Sequence, residues 1–489
     1  MTADSSALRP APRPTRPAAA PVSAPRGGRF SLKGGVRHVA GISAALVGTQ
    51  AVTGILGLLY WAVAARLTSV TAVGVAGAAT SLMLLLGSFG MLGLGTLLIA
   101  EIPRTDPATR RLLVRTALVV AGVASTVFGA LVAIGVGSLG LTDLSSIATP
   151  FNVVDFAIGT GITGLCMVLD QAVLVVGLSR VQLERNTLAS VAKIVILIGL
   201  VYAGRRSGMD IFLSWTLGNL VSLGLVAMRT RVRTSVVTAR AVGRRLVDLG
   251  LLRRLARSAA SHHALNLMLQ APMLLLSVVV AAVLSAEANG YFSTARSIAG
   301  FVFVLPFSIT IALFASAQGR ERELAQRMRF TIPFGIAASL VADAVLWPLG
   351  PTVLSAFGHS YSVEALTTLR VLVLAGLPFV IKDHFVALRR TQNRTGNAAV
   401  IALLGAVFEL VAAVIGAKVG GTVGLCSFWV GALAVEAVLL TGPILRAARA
   451  PAPVDPPPPP ALHRRPRPGP RHRRPLPVPH DQRAVGVAS

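Results

Sequence analysis

Residues 73–104 read VGVAGAATSLMLLLGSFGMLGLGTLLIAEIPR, an apolar stretch in which the first charged residue is Glu101. An apolar run of this length can cross the roughly 30 Å hydrocarbon core of a bilayer as one α-helix. Residues 289–320, NGYFSTARSIAGFVFVLPFSITIALFASAQGR, align with it without a gap at an offset of 216 residues, which pairs Gly74 with Gly290. The alignment predicts an internal repeat, and chance similarity between two apolar segments is the alternative.

The whole chain shares this apolar character. Hydrophobic residues make up 54% of its 489 residues, charged residues 13%, and the mean hydropathy is +0.71. A chain with these values is too apolar to consist of soluble domains of ordinary composition. The net charge of +27 is spread over tails and alternate loops, so it does not indicate a nucleic-acid-binding surface. Cys166 and Cys426 lie in apolar segments and provide neither a disulfide framework nor a metal cluster.

Twelve apolar runs are long enough to cross the membrane, and they fall into two groups of six. They lie at about 38–65, 72–99, 112–136, 151–178, 186–204, 211–228, 260–284, 290–317, 329–350, 366–388, 396–416 and 421–445. Continuous apolar runs favour helices over the alternating strands of a membrane barrel. The predicted fold class is an all-α integral membrane protein with about 12 transmembrane helices in two six-helix halves. The halves are predicted to be parallel, because a shift by six helices preserves the direction of the chain across the membrane.

The orientation follows from the distribution of basic residues, since cytoplasmic loops carry the excess of Lys and Arg. One set of alternate connections holds 22 arginines, whereas the other set holds five basic residues. The N-terminal and C-terminal tails add seven and nine basic residues on the rich side. Both termini are therefore predicted to be cytoplasmic.

Five segments are predicted along the chain. They are a disordered basic tail rich in Pro and Ala at 1–37, an N-terminal six-helix bundle at 38–228, a basic cytoplasmic linker at 229–259, a C-terminal six-helix bundle at 260–445 and a disordered Pro/Arg-rich tail at 446–489. Within the linker, RAVGRRLVDLGLLRRLAR at 240–257 predicts an amphipathic helix on the membrane surface, with a solvated linker as the alternative. Two bundles joined in this way are typical of alternating-access transporters, which bind their substrate between the halves.

Three segments carry a resemblance to a known superfamily. They are ARLTSVTAVGVAGAATSLMLLLGSFGMLGLGTLLIAEIPR at 65–104, ANGYFSTARSIAGFVFVLPFSITIALF at 288–314 and FGHSYSVEALTTLRVLVLAG at 357–376. From about residue 40 to 445 the chain resembles the multidrug/oligosaccharidyl-lipid/polysaccharide (MOP) flippase superfamily, in particular its polysaccharide-export and O-antigen flippase branch. The resemblance implies a MOP flippase-like fold.

The resemblance also implies a function in the bacterial plasma (inner) membrane. A protein of this branch flips an undecaprenyl-pyrophosphate-linked oligosaccharide to the outer leaflet for cell-surface polysaccharide assembly. The implied partners are the lipid-linked oligosaccharide, a polysaccharide polymerase and glycosyltransferases, with no cofactor and no nucleic acid. A cation-coupled multidrug exporter is the alternative within the superfamily, and a non-transporting scaffold of a glycan-assembly complex is a second alternative.

Polar residues inside the spans are the candidates for substrate binding. A pyrophosphate-linked lipid needs cations that replace its hydration in a low-dielectric path. Arg296 in the eighth span and Lys193 in the fifth span are such cations. In the seventh span, Asn266 and Gln270 lie four residues apart, with His263 nearby, and could bind sugar hydroxyl groups. These three residues form a polar stripe on the seventh span, and hydrogen bonding between helices is the alternative role for it.

Acidic residues inside the spans are the candidates for ion coupling, because an intramembrane charge costs about 3 kcal/mol or more. They are Asp170, Asp343, Glu409 and Glu436, in the fourth, ninth, eleventh and twelfth spans. Structural ion pairs are the alternative. For Lys193, pairing with Asp170 is as good an interpretation as contact with the substrate.

No enzymatic chemistry is expected from the sequence. It contains no GxxxxGK[ST] phosphate-binding loop, and no set of residues suggests nucleophilic, metal or paired-carboxylate catalysis. Transport would therefore draw on an ion gradient, the membrane potential or consumption of the substrate on the far side.

Overall fold

A computed structural model describes residues 53–138, 142–176, 179–234, 249–317 and 321–449, and all regular secondary structure in these ranges is helical. The predicted N-terminal tail, residues 38–52 of the first span, residues 235–248 of the linker and the C-terminal tail beyond Arg449 lie outside the described residues. The described residues up to Ala448 belong to one compact unit.

The helices follow one another with short connections, and two of these connections contain 3₁₀ turns, at Ile102–Arg104 and Thr142–Ala148. The helices are α1 (Thr53–Leu67), α2 (Val70–Gly90), α3 (Leu94–Glu101), α4 (Pro107–Ser138), α5 (Pro150–Val175), α6 (Ser179–Tyr202), α7 (Gly208–Thr234), α8 (Leu249–Val283), α9 (Ala286–Ala317), α10 (Glu321–Ser355), α11 (His359–Glu364), α12 (Leu366–Val373), α13 (Gly376–Thr391) and α14 (Thr395–Arg449).

Nine helices in the described ranges are long and apolar enough to cross a membrane. One of them, Thr395–Arg446, contains both the eleventh and the twelfth predicted spans, because the chain reverses within it. Gly421 has φ 59° and ψ −145°, a backbone conformation that favours glycine. The eighth predicted span corresponds to α9, and α1 is the described part of the first. The predicted all-α membrane fold is therefore confirmed.

Each half has its own apolar core. Met83, Phe156 and Phe212 are buried together in the N-terminal half, and Phe292 and Trp429 are buried together in the C-terminal half. Many large aliphatic side chains are exposed instead, including Leu131, Leu404 and Val438 at 61%, 66% and 75%. Such faces suit contact with lipid, which removes the need to bury apolar surface within the protein.

The predicted repeat corresponds to a physical contact between α2 and α9. Ser69 accepts a hydrogen bond from the Ala72 amide at 3.1 Å, and Ser285 accepts one from the Ala288 amide at 3.0 Å. The offset of 216 residues relates Ser69 to Ser285, so both helices begin with the same serine cap.

Glycines at repeat-related positions let the two helices approach closely. A carbon atom added at Gly74 would lie 1.7 Å from the carbonyl oxygen of Ala286, and one added at Gly290 would lie 2.4 Å from that of Val70. The same offset relates Val70 to Ala286 and Gly74 to Gly290. The repeat therefore converts each contact into the other. This symmetry is expected for two parallel halves related by an axis along the membrane normal.

The described part of the linker is helical. Helix α8 is continuous from Leu249 to Val283, so residues 249–257 belong to the same helix as the seventh span. Helix α7 likewise continues to Thr234. Nothing interrupts α8 near residue 258, because the sequence RSAASHH at 257–263 contains neither glycine nor proline.

Candidate functional site

The two halves meet at one end of the bundle, which we call the outer end. It contains the connections at 68–69, 203–207, 284–285 and 420–421, which the charge distribution predicts to be extracellular. Here the Arg66 guanidinium of α1 donates hydrogen bonds to the carbonyl oxygens of Ser355 and Ala356, at 2.6 and 3.0 Å. Asn289 of α9 donates to the Gly74 carbonyl oxygen at 2.6 Å. The outer end is therefore held closed by both side-chain and backbone contacts.

A cavity of about 330 Å³ lies between helices of opposite halves. Its lining on the N-terminal side comes from α1, including Gly57 and Trp61, and its lining on the C-terminal side comes from α9, including Ser297 and Phe301. Its position fits the predicted substrate path between the halves.

Arg296 directly precedes the cavity-lining Ser297 in α9, and its side chain reaches α2. Its guanidinium donates a hydrogen bond to Ser81 Oγ at 3.2 Å, across the boundary between the halves. Its Nε is buried and has no hydrogen-bond partner, and no carboxylate among the described residues forms a salt bridge with it. Arg296 thus has hydrogen-bonding capacity to spare for an anion.

Lys193 lies within the N-terminal half and is not paired with Asp170, the partner that the sequence offered as an alternative. Its Nζ lies 3.5 Å from the centroid of the Trp215 ring, and its side chain is 9% exposed. The stem passes over Gly218, where an added carbon atom would lie 2.5 Å from Lys193 Cγ.

The partner of Asp170 is Arg185. Arg185 donates to both carboxylate oxygens, with its terminal nitrogen at 2.8 Å from Oδ1 and 2.7 Å from Oδ2. The same nitrogen also contacts Asn186 Oδ1 at 2.7 Å. This ion pair joins α5 to α6, so Asp170 has a structural partner.

The C-terminal half contains a buried charged cluster of Lys382, Glu409, Glu436 and Trp429. The Lys382 ammonium contacts Glu409 Oε1 and lies 2.9 Å from Glu436 Oε2. The Trp429 indole donates to Glu409 Oε2 at 2.8 Å. Two carboxylates thus share one ammonium, and Glu436 Oε1 is buried without a partner. A cluster with one uncompensated negative charge can take up a proton or a small cation.

Asp343 is the other acidic candidate. It is 6% exposed on α10, and neither of its carboxylate oxygens has a hydrogen-bond partner among the described residues. A buried carboxylate without a partner favours the protonated form, which suits proton exchange.

The polar stripe of the seventh span is divided between separate environments. Asn266 accepts a hydrogen bond from Arg390 at 2.6 Å and so connects α8 to α13. His263 is partly buried, and its Nε2 has no hydrogen-bond partner among the described residues. Gln270 is exposed. The structure therefore does not bring these three residues into one group, and Asn266 forms a hydrogen bond between two helices.

Comparisons with solved structures place this arrangement in a known fold. An inward-facing multidrug resistance MATE family transporter of the MOP superfamily matches with a TM-score of 0.63 and 15% identity, covering 82% of this chain and 96% of that one. An outward-facing one matches with a TM-score of 0.59 and 16% identity, covering 85% and 97%. A mutant of the Vibrio cholerae MATE transporter VcmN matches with a TM-score of 0.56 and 14% identity, covering 85% and 98%. No family model and no curated protein matches the sequence.

The chain therefore has a multi-pass, MATE-like transporter fold with two helical halves. The predicted resemblance to the MOP superfamily agrees with this fold. The neighbours named above are MATE transporters, not members of the polysaccharide-export branch, so that finer assignment remains a proposal.

Proposed function

We propose that this protein is a secondary transporter that moves amphipathic molecules out of the cytoplasm by alternating access. The observation that carries the proposal is the pair of repeat-related glycine contacts between α2 and α9, which closes the outer end. Two rigid halves in contact at one end can rock about a site between them, which is the usual motion of transporters built from repeats. The cavity between α1 and α9 would be part of that site.

Ion exchange is the proposed energy source. Asp343 and Glu436 each have a buried carboxylate oxygen without a hydrogen-bond partner among the described residues. Such groups can bind and release a proton or a cation as the halves move.

The leading candidate substrates are small amphipathic drugs. Two of the structures that share the fold are described as multidrug resistance transporters, so the comparisons favour the drug exporter over the flippase. Deletion of the gene should then sensitise cells to such compounds.

The second candidate is a flippase for a lipid-linked oligosaccharide, and Arg296 is the observation in its favour. This guanidinium lies between the halves without an acidic partner in the described residues. A cation there would stabilise a pyrophosphate group in the path. The sequence resemblance to the polysaccharide branch points the same way.

Arg296 provides the test between these candidates. If the substrate is a lipid-linked oligosaccharide, Arg296→Gln should lower flipping by roughly tenfold or more through loss of a charge-assisted contact, and Arg296→Lys should keep part of it. The measurement is accumulation of lipid-linked units on the cytoplasmic leaflet in a deletion strain that expresses each variant.

The remaining outcomes separate the other candidates. Drug sensitivity of the deletion strain together with unchanged surface glycan would reject the flippase. If Arg296→Ala and Asp170→Asn both leave glycan assembly and drug export unchanged, while tail truncation impairs assembly, the protein is a scaffold and transport is rejected.

A further inference from the structure

Three aromatic side chains form a cluster at the place where Lys193 lies. The ring centroids of Tyr60 and Trp61 are 5.4 Å apart, those of Tyr60 and Trp215 are 5.5 Å apart, and those of Trp61 and Trp215 are 6.1 Å apart. The Tyr60 hydroxyl donates to the Ile211 carbonyl oxygen at 2.8 Å and lies 2.9 Å from Ser214 Oγ. The rings are therefore fixed by contacts between α1 and α7.

The ammonium of Lys193 occupies the position that an organic cation would take. It lies 3.5 Å from the centroid of Trp215, well within the distance at which a ring face attracts a positive charge. It makes no salt bridge to any described residue. The aromatic face is thus its main electrostatic partner, as a ring is for a quaternary ammonium ligand.

The aromatic cluster connects to the cavity between the halves. Trp61 contacts Tyr60 and Trp215 on one side, and it also lines the 330 Å³ cavity with residues of α9. A substrate in the cavity would therefore approach the cluster at Trp61. A second cation at Trp61 would be repelled by the Lys193 ammonium, which lies on the neighbouring Trp215 ring.

We propose that Lys193 is a specificity-determining residue whose ammonium fills a cation site on Trp215 and so excludes organic cations from the substrate path. The inference rests on the proposed transport function and deepens it, because it restricts the substrates to neutral or anionic amphiphiles. The positive charges of Lys193 and Arg296 then both disfavour cationic substrates.

The site is tested by direct binding to the purified full-length protein. The probe is tetramethylammonium, with neopentyl alcohol as the neutral probe of similar shape, and the readout is calorimetry or quenching of tryptophan fluorescence. Wild type should bind tetramethylammonium without saturation. Lys193→Ala should bind it saturably and roughly tenfold or more tightly than wild type, while binding of the alcohol changes little.

Matched variants show whether binding is gained because the site on Trp215 is vacated or because the charge of Lys193 is lost. Lys193→Met keeps a long side chain over Trp215 and should not gain binding, and Lys193→Arg should behave like wild type. Adding Trp215→Leu to Lys193→Ala should remove the gain. Lys193→Ser provides a second emptied site if the alanine variant does not fold.

The proposal is overturned if a folded Lys193→Ala or Lys193→Ser protein binds tetramethylammonium no better than wild type. It is also overturned if Lys193→Met gains as much as Lys193→Ala. Gained binding without any transport by wild type or variant would support the cation site and reject the transport function instead.

Discussion

Replacing Lys382 by methionine is expected to destabilise the protein by about 3–5 kcal/mol, the usual cost of removing one partner from a buried ion pair. Lys382 is the only cation in salt-bridge contact with Glu409 and Glu436 among the described residues, and Glu409 is 1% exposed. Without the ammonium, two carboxylates would face each other at a site where water is scarce. Thermal unfolding of the purified protein in detergent should show a Tm several degrees lower.

The control for this result replaces the two carboxylates that contact Lys382 by neutral side chains. Adding Glu409→Gln and Glu436→Gln to Lys382→Met removes the uncompensated charges and should restore most of the lost stability, because replacing a whole buried ionic cluster is far less costly than breaking it. The Trp429 indole can still donate to a glutamine oxygen at position 409. A Lys382→Met protein as stable as wild type would contradict the arrangement of this cluster.

Gly74→Val is expected to abolish transport, and Gly290→Val should do the same. At Gly74 the first added carbon atom would already lie 1.7 Å from a backbone carbonyl oxygen, which cannot move aside as a flexible side chain can. Overpacking of this kind costs about 3 kcal/mol, which lowers the population of the closed outer end on the order of a hundredfold. The measurement is substrate export by cells that express each variant at equal levels.

Gly199→Val is the matched control, because a carbon atom added at Gly199 would meet no atom within 4 Å apart from the adjoining backbone of its own helix. This variant should keep transport. Normal transport by Gly74→Val would show that the close approach of α2 and α9 is not needed in the cycle.

The sequence was sufficient for the all-helical membrane fold, and the residues of its predicted repeat lie where α2 contacts α9. Hydropathy alone locates a membrane helix, and the match of Gly74 with Gly290 reflects the small residues that a close helix contact needs. The reversal at Gly420–Gly421 was likewise visible as the gap between two apolar runs, and there the two arms pack so closely that an atom added at Gly416 would lie 2.3 Å from the Gly424 carbonyl oxygen.

Partners within the membrane could not be predicted in the same way, because they depend on how helices rotate against each other. Asp170 pairs with Arg185, a residue that in the sequence counts only as part of a basic loop. Lys193 lies on Trp215 because Gly218 leaves room for its stem. The aromatic residues Tyr60, Trp215 and Trp429 carry no charge, so the pattern of intramembrane charges in the sequence does not indicate them.

Alternating access itself is tested most directly by the distance between the halves at the outer end. Spin labels at Ser69→Cys and Ser355→Cys, in a chain with Cys166 and Cys426 replaced by serine, report this distance by pulsed electron paramagnetic resonance. Labels at Ser69→Cys and Arg206→Cys, both in the N-terminal half, serve as the control pair. We predict two distances for the first pair, whose proportions change with pH, sodium or substrate and favour the longer one in Gly74→Val, and a single distance for the control pair. One unchanging distance for the first pair under all these conditions would contradict the account.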